Sequence, residues 1–330
     1  MPTLQPDARI CWHNKKNFLL MTQGLEQIMS ATYPGHRSFY KYASPQAAKA
    51  TLEKKTVRYS SPLTFNDPFD VQAGLHFDFK LEDLLEKCVD HIGRFASAPS
   101  VQPVDKDHPI GQLALMARDR FPTHGFDKKR WLEMMGHNFN EDLIPVIKQT
   151  QQDFQNYWKD ILPTVRVFCV SEERDNLLMW AHYAKDHTGV VFEFLSLPGS
   201  DNPLSVAQKV QYVDSPPPFF SEQEWLDDFI TTKPFDNKEL HRRYVLHKSI
   251  DWHYEKEWRV WYPYSKGEGH HDYLEISENE FPAIFIGCRA EEKFTNDIIA
   301  MTREGFPNTK IFKARRRSDS YTLEYVEIQD

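Results

Sequence analysis

The run His253-Tyr254-Glu255-Lys256-Glu257-Trp258-Arg259-Val260-Trp261 most limits what this chain can fold into. Read with the two-residue period of a β-strand, Tyr254, Lys256, Trp258 and Val260 share one face, and His253, Glu255, Glu257 and Arg259 share the other. Trp252, Tyr254, Trp258, Trp261 and Tyr262 crowd both faces, which calls for burial. Two carboxylates side by side between a histidine and an arginine are costly on a buried face, and carboxylates placed that way usually have a task. The plainer alternative is an exposed strand with Arg259 paired to a glutamate, which costs little. On the first reading Glu255 and Glu257 are candidate catalytic residues.

The chain has 330 residues, enough for one large domain or two ordinary ones, and 40% hydrophobic with 27% charged residues is a soluble globular composition. A net charge of −8 argues against a general nucleic-acid binder. The basic run Lys313-Ala314-Arg315-Arg316-Arg317 then reads as a solvated strand end. Cys11, Cys88, Cys169 and Cys288 lie too far apart for a CxxC pair or a Cys/His metal spacing, so no metal ligand is expected and a reducing, cytoplasmic compartment is. No apolar stretch approaches membrane-spanning length, so no membrane partner is expected.

Residues 1–37 read as an N-terminal arm with one apolar island, Phe18–Met21. Residues 38–330 read as a single α+β domain with a mixed, mainly antiparallel sheet. Strand patterns occur at Ser38–Tyr42, Thr56–Ser60, Arg166–Val170, Gly189–Leu195, Gln208–Val213, Tyr254–Tyr262, Ala283–Gly287, Lys310–Ala314 and Tyr321–Ile328. Helical patterns occur at Gln46–Lys54 behind the cap Ser44-Pro45, near Asn176–Ala184, near Lys238–Lys248 and at Glu291–Gly305. Between about 80 and 160 apolar residues recur at helical spacing, which predicts a helical insertion broken by a polar loop near Ala98–Pro109.

Two further clusters carry candidate site residues. The turn-rich loop Phe65-Asn66-Asp67-Pro68-Phe69-Asp70 is either a stiff loop in which Asn66 or Asp67 closes an Asx turn, or the rim of a cleft. In Asn176–Gly189, Trp180 and Tyr183 fall on one side of a helix and His182 stands between apolar neighbours. His187 precedes a turn glycine and helps close it.

Phe39-Tyr40-Lys41-Tyr42, the Ser60-to-Asp70 loop, Met179-Trp180-Ala181-His182-Tyr183 with His187 and Gly189, and Tyr254–Arg259 together resemble a bacterial family, the domain of unknown function 2971, over roughly residues 38–290. More distantly, the order of the strand-borne residues is similar to that of mono-ADP-ribosyltransferases: a residue that holds NAD, then a Ser or Tyr on the next strand, then a catalytic Glu, often in a Glu-x-Glu pair. Here the positions are Lys41 or Tyr42, then Tyr59, Ser60 or Ser61, then Glu255-Lys256-Glu257. The first departs from the usual Arg or His; His36 and Arg37 lie just before it. The resemblance implies NAD as substrate and an acceptor that is protein or nucleic acid, in a toxin or phage-defence setting, with a homo-oligomer allowed. It implies Glu257 and Glu255 as catalytic residues and Lys41, Tyr42, Tyr59, Ser60, Asn66, Asp67, Trp180, His182 and Arg259 around the NAD. In that chemistry Glu257 stabilises an oxocarbenium-like ribose, Glu255 orients or deprotonates the acceptor, and Tyr42 and Tyr59 stack on nicotinamide. Two other readings stay open: a Mg²⁺-dependent nuclease or phosphoesterase built from Asp67, Asp70, Glu255 and Glu257, and a non-enzymatic sensor whose aromatic cleft holds a ligand.

Overall fold

A computed structural model describes residues 37–98, 104, 106, 109–121, 125–135, 139–197, 202–230 and 237–329. Residues 1–36 of the expected N-terminal arm, with its apolar island, and most of the polar loop near 98–109 lie outside the described residues, and Arg37 begins the first strand.

In chain order the elements are β1 (Arg37–Ala43), α1 (Pro45–Lys54), β2 (Thr56–Ser60), α2 (Leu81–Ser97), α3 (Pro109–Arg120), α4 (Lys128–Met135), α5 (Phe139–Ile161), β3 (Arg166–Ser171), α6 (Leu177–His182) and β4 (Val190–Ser196). There follow β5 (Gln208–Lys209), β6 (Gln211–Val213), α7 (Glu222–Ile230), α8 (Asn237–Val245), β7 (His247–Ser249), β8 (Glu257–Tyr262), β9 (His271–Glu275), β10 (Ala283–Ile286), α9 (Glu292–Gly305), β11 (Lys310–Arg316) and β12 (Leu323–Glu327). The fold is α+β, and the main sheet is mixed and mostly antiparallel, with β10 and β11 its parallel pair among the described residues.

The chain divides into two compact units. One comprises the described residues of Met1–Gln72, Ile161–Ser215 and Val245–Asp330, the other Ala73–Asp160 and Pro216–Tyr244. The second unit joins the expected helical insertion to the excursion after Pro216-Pro217-Pro218. The two segments meet through an aromatic cluster in which Phe77, Phe154 and Phe220 surround Trp225 and Phe219 packs on those three phenylalanines. Gln155 also ties the chain down at Leu75, donating to its carbonyl at 2.7 Å and accepting from its N–H at 3.1 Å.

The first unit holds the sheet, ordered β12-β11-β10-β4-β1-β3-β2-β9, with β8 on β3 and β5 on β8. Its centre is covered on both faces, which is why the β4 segment Val190-Val191-Phe192-Glu193-Phe194-Leu195 is nearly continuously apolar. Phe39, Phe192, Phe194, Ile284 and Ile286 pack with Ala48 and Leu52 of α1 and Phe294 and Ile298 of α9. On the other face Tyr42, Val191 and Phe285 pack with Met179 and Trp180 of α6.

The sheet opens at β3. One edge of β3 pairs with β8 from Arg166 to Ser171, while the other meets β1 at Tyr40–Ser171 and β2 at Ser60–Val167. Between those two points β1 and β2 diverge. Lys41 Nζ reaches into the gap and donates to the Cys169 carbonyl at 2.7 Å, taking the place of a ladder hydrogen bond.

A second constraint is the connection from α6 to β4. Lys185, Asp186 and His187 have φ of 47°, 56° and 65°, three successive non-glycine residues in the left-handed region. Glycines make this turn possible by close approach. A Cβ on Gly189 would lie 2.0 Å from the Ala43 carbonyl oxygen, and one on Gly287 would lie 2.1 Å from that of His187. Among the described residues no helix is long and apolar enough to cross a membrane.

Candidate functional site

The expected strand Tyr254–Tyr262 begins three residues late. Residues Ile250–Glu255 form a 3₁₀ helix that Lys256 ends in a left-handed conformation (φ 44°), and β8 starts at Glu257. Strand alternation therefore does not carry Glu255 to the face of Glu257, and His253 stands exposed in the 3₁₀ turn. The two carboxylates meet by another route, on one ammonium. Lys248 Nζ lies 2.5 Å from Glu255 Oε2, 3.2 Å from Glu257 Oε2 and 3.5 Å from Asp70 Oδ2. The expected helix Lys238–Lys248 stops at Val245, which frees Lys248 to sit in β7 and point inward.

Arg259 completes the cluster. It donates to Glu257 through Nε (2.8 Å) and Nη2 (3.0 Å), to Asp70 through Nη1 (2.9 Å) and Nη2 (2.6 Å), and to the Val245 carbonyl through Nη1 (2.7 Å). All five charged side chains are buried. With Glu255 ionised, three carboxylates against two cations leave one negative charge. Tyr183 donates to Glu255 Oε1 at 2.5 Å, and the Glu257 N–H donates to the Tyr212 hydroxyl at 2.8 Å.

The two glutamates are pushed in opposite directions. Burial raises the Glu255 pKa, and the neighbouring charge of Glu257 raises it further against the pull of Lys248. Burial works the same way on Glu257, but the charges of Arg259 and Lys248 outweigh it and hold Glu257 well below the ordinary carboxylate range. One carboxylate is thus disposed to hold and exchange a proton beside one that stays ionised.

Asp70, Lys248, Glu255 and Glu257 of the cluster line a cleft of about 560 Å³ in the sheet opening, together with β1, β2, β3 and the Thr64–Asn66 loop. Lys41, Tyr42, Ser60, Asn66, His182, Glu255 and Glu257 line it together with Lys54, Arg58, Asp70, Tyr183 and Tyr273. Burial lowers the Lys41 pKa, partly offset by the charge of Glu257. Tyr42 contributes to the lining, but its ring packs edge-on to Trp180 and its hydroxyl donates to the Glu173 carbonyl at 2.9 Å.

Four of the expected residues stand behind the cleft and do not line it. Tyr59 is 1% exposed and stacks on Phe168, so its ring has no free face for nicotinamide. Trp180 is buried under α6, donating to the Arg174 carbonyl at 3.0 Å. Asp67 closes the Asx turn by accepting from the Phe69 N–H at 2.9 Å. Arg259 reaches the cleft through the carboxylates it holds. Lys248, Arg58 and Lys54 were not singled out from the sequence, and Tyr183 was placed on a helix face with no role in the site. Lys248 had one legible signal: a buried pair of carboxylates with one arginine beside it requires a further cation.

Asp70, Glu255 and Glu257 are the carboxylates that a Mg²⁺ site would use, and each already carries an ammonium or guanidinium. Among the described residues no group of three or more His, Cys, Asp or Glu side chains could hold a metal ion.

Residues 179–260 match the family model described as "Protein of unknown function (DUF2971)". That segment runs from α6 into β8. It contains Tyr183, Lys248, Glu255, Glu257 and Arg259, and not the β1, β2 and Asn66–Asp67 side of the cleft. No curated protein and no solved structure matches the chain.

Proposed function

We propose that this cleft is the active site of an ADP-ribosyltransferase-like enzyme that cleaves the nicotinamide–ribose bond of NAD and passes ADP-ribose to a protein or nucleic-acid acceptor. The observation that carries the reading is the pair Glu255 and Glu257 on one lysine, one with its pKa raised and one with it lowered, in a cleft whose other lining residues include cations. The resemblance in the order of strand-borne residues adds to it. A bacterial origin and a toxin or phage-defence role belong to the same proposal.

In this reading Lys41, Lys54 and Arg58 take the diphosphate, for which ammonium and guanidinium groups are suited. The ribose lies toward the carboxylates. As the C1′–N bond breaks, its electron pair leaves with nicotinamide, which departs neutral, and positive charge develops at C1′ and the ring oxygen. The net negative charge of the Asp70–Glu257–Arg259–Lys248–Glu255 cluster is preorganised against that charge. Glu257 is held ionised and rigid. Glu255, with its raised pKa, accepts the proton of the acceptor nucleophile as that group attacks C1′.

The test incubates the protein with labelled NAD and cell lysate. Wild type transfers label and releases nicotinamide. Glu255→Gln and Glu257→Gln, which keep shape and hydrogen bonding, lose at least about a hundredfold in rate, the range for a positioned acid–base or electrostatic group. Wild-type protein that neither binds NAD, releases nicotinamide nor transfers label overturns the proposal.

A further inference from the structure

A second cavity of the sheet-bearing unit, about 680 Å³, shares no lining residue with the first. It is bounded by His187, Arg289 and the β11–β12 hairpin turn from Arg316 to Leu323. Its size is that of a small-ligand site.

Its chemistry is one-sided. Asp319 is the one carboxylate among its lining residues, and Arg317 occupies it bidentately at 2.9 and 2.8 Å. The guanidinium groups of Arg289 and Arg316 make no hydrogen bond or ion pair among the described residues. His187 adds no positive charge at neutral pH, because burial and the charge of Arg289 lower its pKa. Its Nδ1 is buried with no hydrogen-bond partner. The turn also brings three hydroxyls, Ser318, Ser320 and Thr322, to the cavity. At its tip Tyr321 is 96% exposed, an aromatic ring with both faces open. The wall formed by His187 belongs to the strained Lys185–His187 turn, which is fixed where Gly287 and Arg289 donate backbone N–H groups to the Gly189 and His187 carbonyls at 2.9 and 3.0 Å.

Two unpaired guanidiniums match the planar, multi-oxygen geometry of a phosphate, the Ser318 hydroxyl adds a donor beside the Ser320 and Thr322 hydroxyls, which bond each other at 2.7 Å, and an open tyrosine offers a stacking platform. We propose that this cavity binds a nucleoside phosphate, with Arg289 and Arg316 on the phosphate oxygens and the base stacked on Tyr321. The ligand is either a free mononucleotide or one nucleotide of a single-stranded chain. This proposal is independent of the reading of the first cleft.

The probes are AMP and a short single-stranded oligoadenylate, titrated calorimetrically into the full chain. Wild type binds one or both, more weakly as salt rises. The double variant Arg289→Ser/Arg316→Ser and, separately, Tyr321→Ala bind at least about tenfold more weakly. Both keep the wild-type circular dichroism spectrum, since all three side chains are exposed. Glu255→Gln, in the other cleft, leaves this binding unchanged. An azido-substituted AMP crosslinks to the peptide containing Tyr321. Tighter binding of AMP identifies a free nucleotide as the ligand, and tighter binding of the oligoadenylate identifies a strand. If wild type binds neither probe, or the double variant binds both as tightly as wild type, the proposal is overturned.

Discussion

At the scale of single residues, the informative contrast is between two glutamates two positions apart. Glu257 is buried beside Arg259 and Lys248, and its folded pKa lies below the ordinary 4.5. The unfolded chain therefore takes up this proton first as pH falls, so the stabilisation from Glu257 is fully present above about pH 4.5 and is lost as pH drops toward the folded value. Glu255 has the opposite sign. Its folded pKa is raised, so it disfavours the folded state as pH rises from its unfolded value through its folded one. Urea denaturation across pH 3 to 8 checks both: Glu257→Gln flattens the acid limb of the stability curve, while Glu255→Gln raises stability relative to wild type at neutral pH. An acid limb unchanged in Glu257→Gln would mean that its carboxylate is not held by Arg259 and Lys248. The sequence announced the carboxylates but not what holds them. Arg259 was legible because it shares a strand with Glu257. Asp70 is 189 positions from Arg259, and local periodicity carries no information about a contact at that distance. Lys248 was hidden by a helical pattern that runs on past the real end at Val245.

At the scale of elements, the local rules locate segments well and fail at particular junctions. The Ser44-Pro45 start of α1 is as expected, with the Ser44 hydroxyl accepting from the Ala47 N–H at 3.3 Å. Asn176 caps α6 by accepting from the Leu178 and Met179 N–H groups at 2.9 and 3.1 Å. The failures are non-glycine residues in the left-handed region. Lys256 ends a 3₁₀ turn where alternation suggested a strand, and α6 stops at His182, short of the expected Ala184, with the left-handed run Lys185–His187 following it. Lysine has no marked preference for that region, so tertiary packing imposes it at Lys185 and Lys256, while Asp186 and His187 adopt it more readily. The packing is also what a mutation would expose. Gly189→Ala places a methyl 2.0 Å from the Ala43 carbonyl oxygen, a backbone atom that cannot move aside without parting β1 from β4. It is expected to destabilise the protein by about 3 kcal/mol or more. Asn176→Ala, which removes a cap, is expected to cost about 0.5–2 kcal/mol. Chemical denaturation of the two variants ranks them, and an Asn176→Ala cost equal to or above that of Gly189→Ala would contradict the close-approach argument.

At the scale of the whole molecule, the sequence separated a helical region from strand-rich flanks but not the return of the chain to that region after residue 215. Periodicity marks a helix and says nothing about which distant helices share a core. Aromatic residues make that choice here. Phe219, Phe220 and Trp225 of the later segment pack on Phe77 and Phe154 of the earlier one. The sheet-bearing unit has a different core, centred on residues such as Ile298 of α9 and Phe192 of β4. Two units with separate cores need not melt together, because cooperativity extends as far as the packing that links residues within each core. Scanning calorimetry is therefore expected to resolve two transitions. Trp225→Ala removes a side chain that is 2% exposed and should lower one of them, at a cost of about 3–5 kcal/mol. Ile298→Ala removes one that is 0% exposed and should lower the other, by about 2–5 kcal/mol. In the second variant both proposed ligand activities should fade with the transition that moved, since each cavity is built from that unit. A single transition, shifted alike by both substitutions, would mean that the two cores unfold as one.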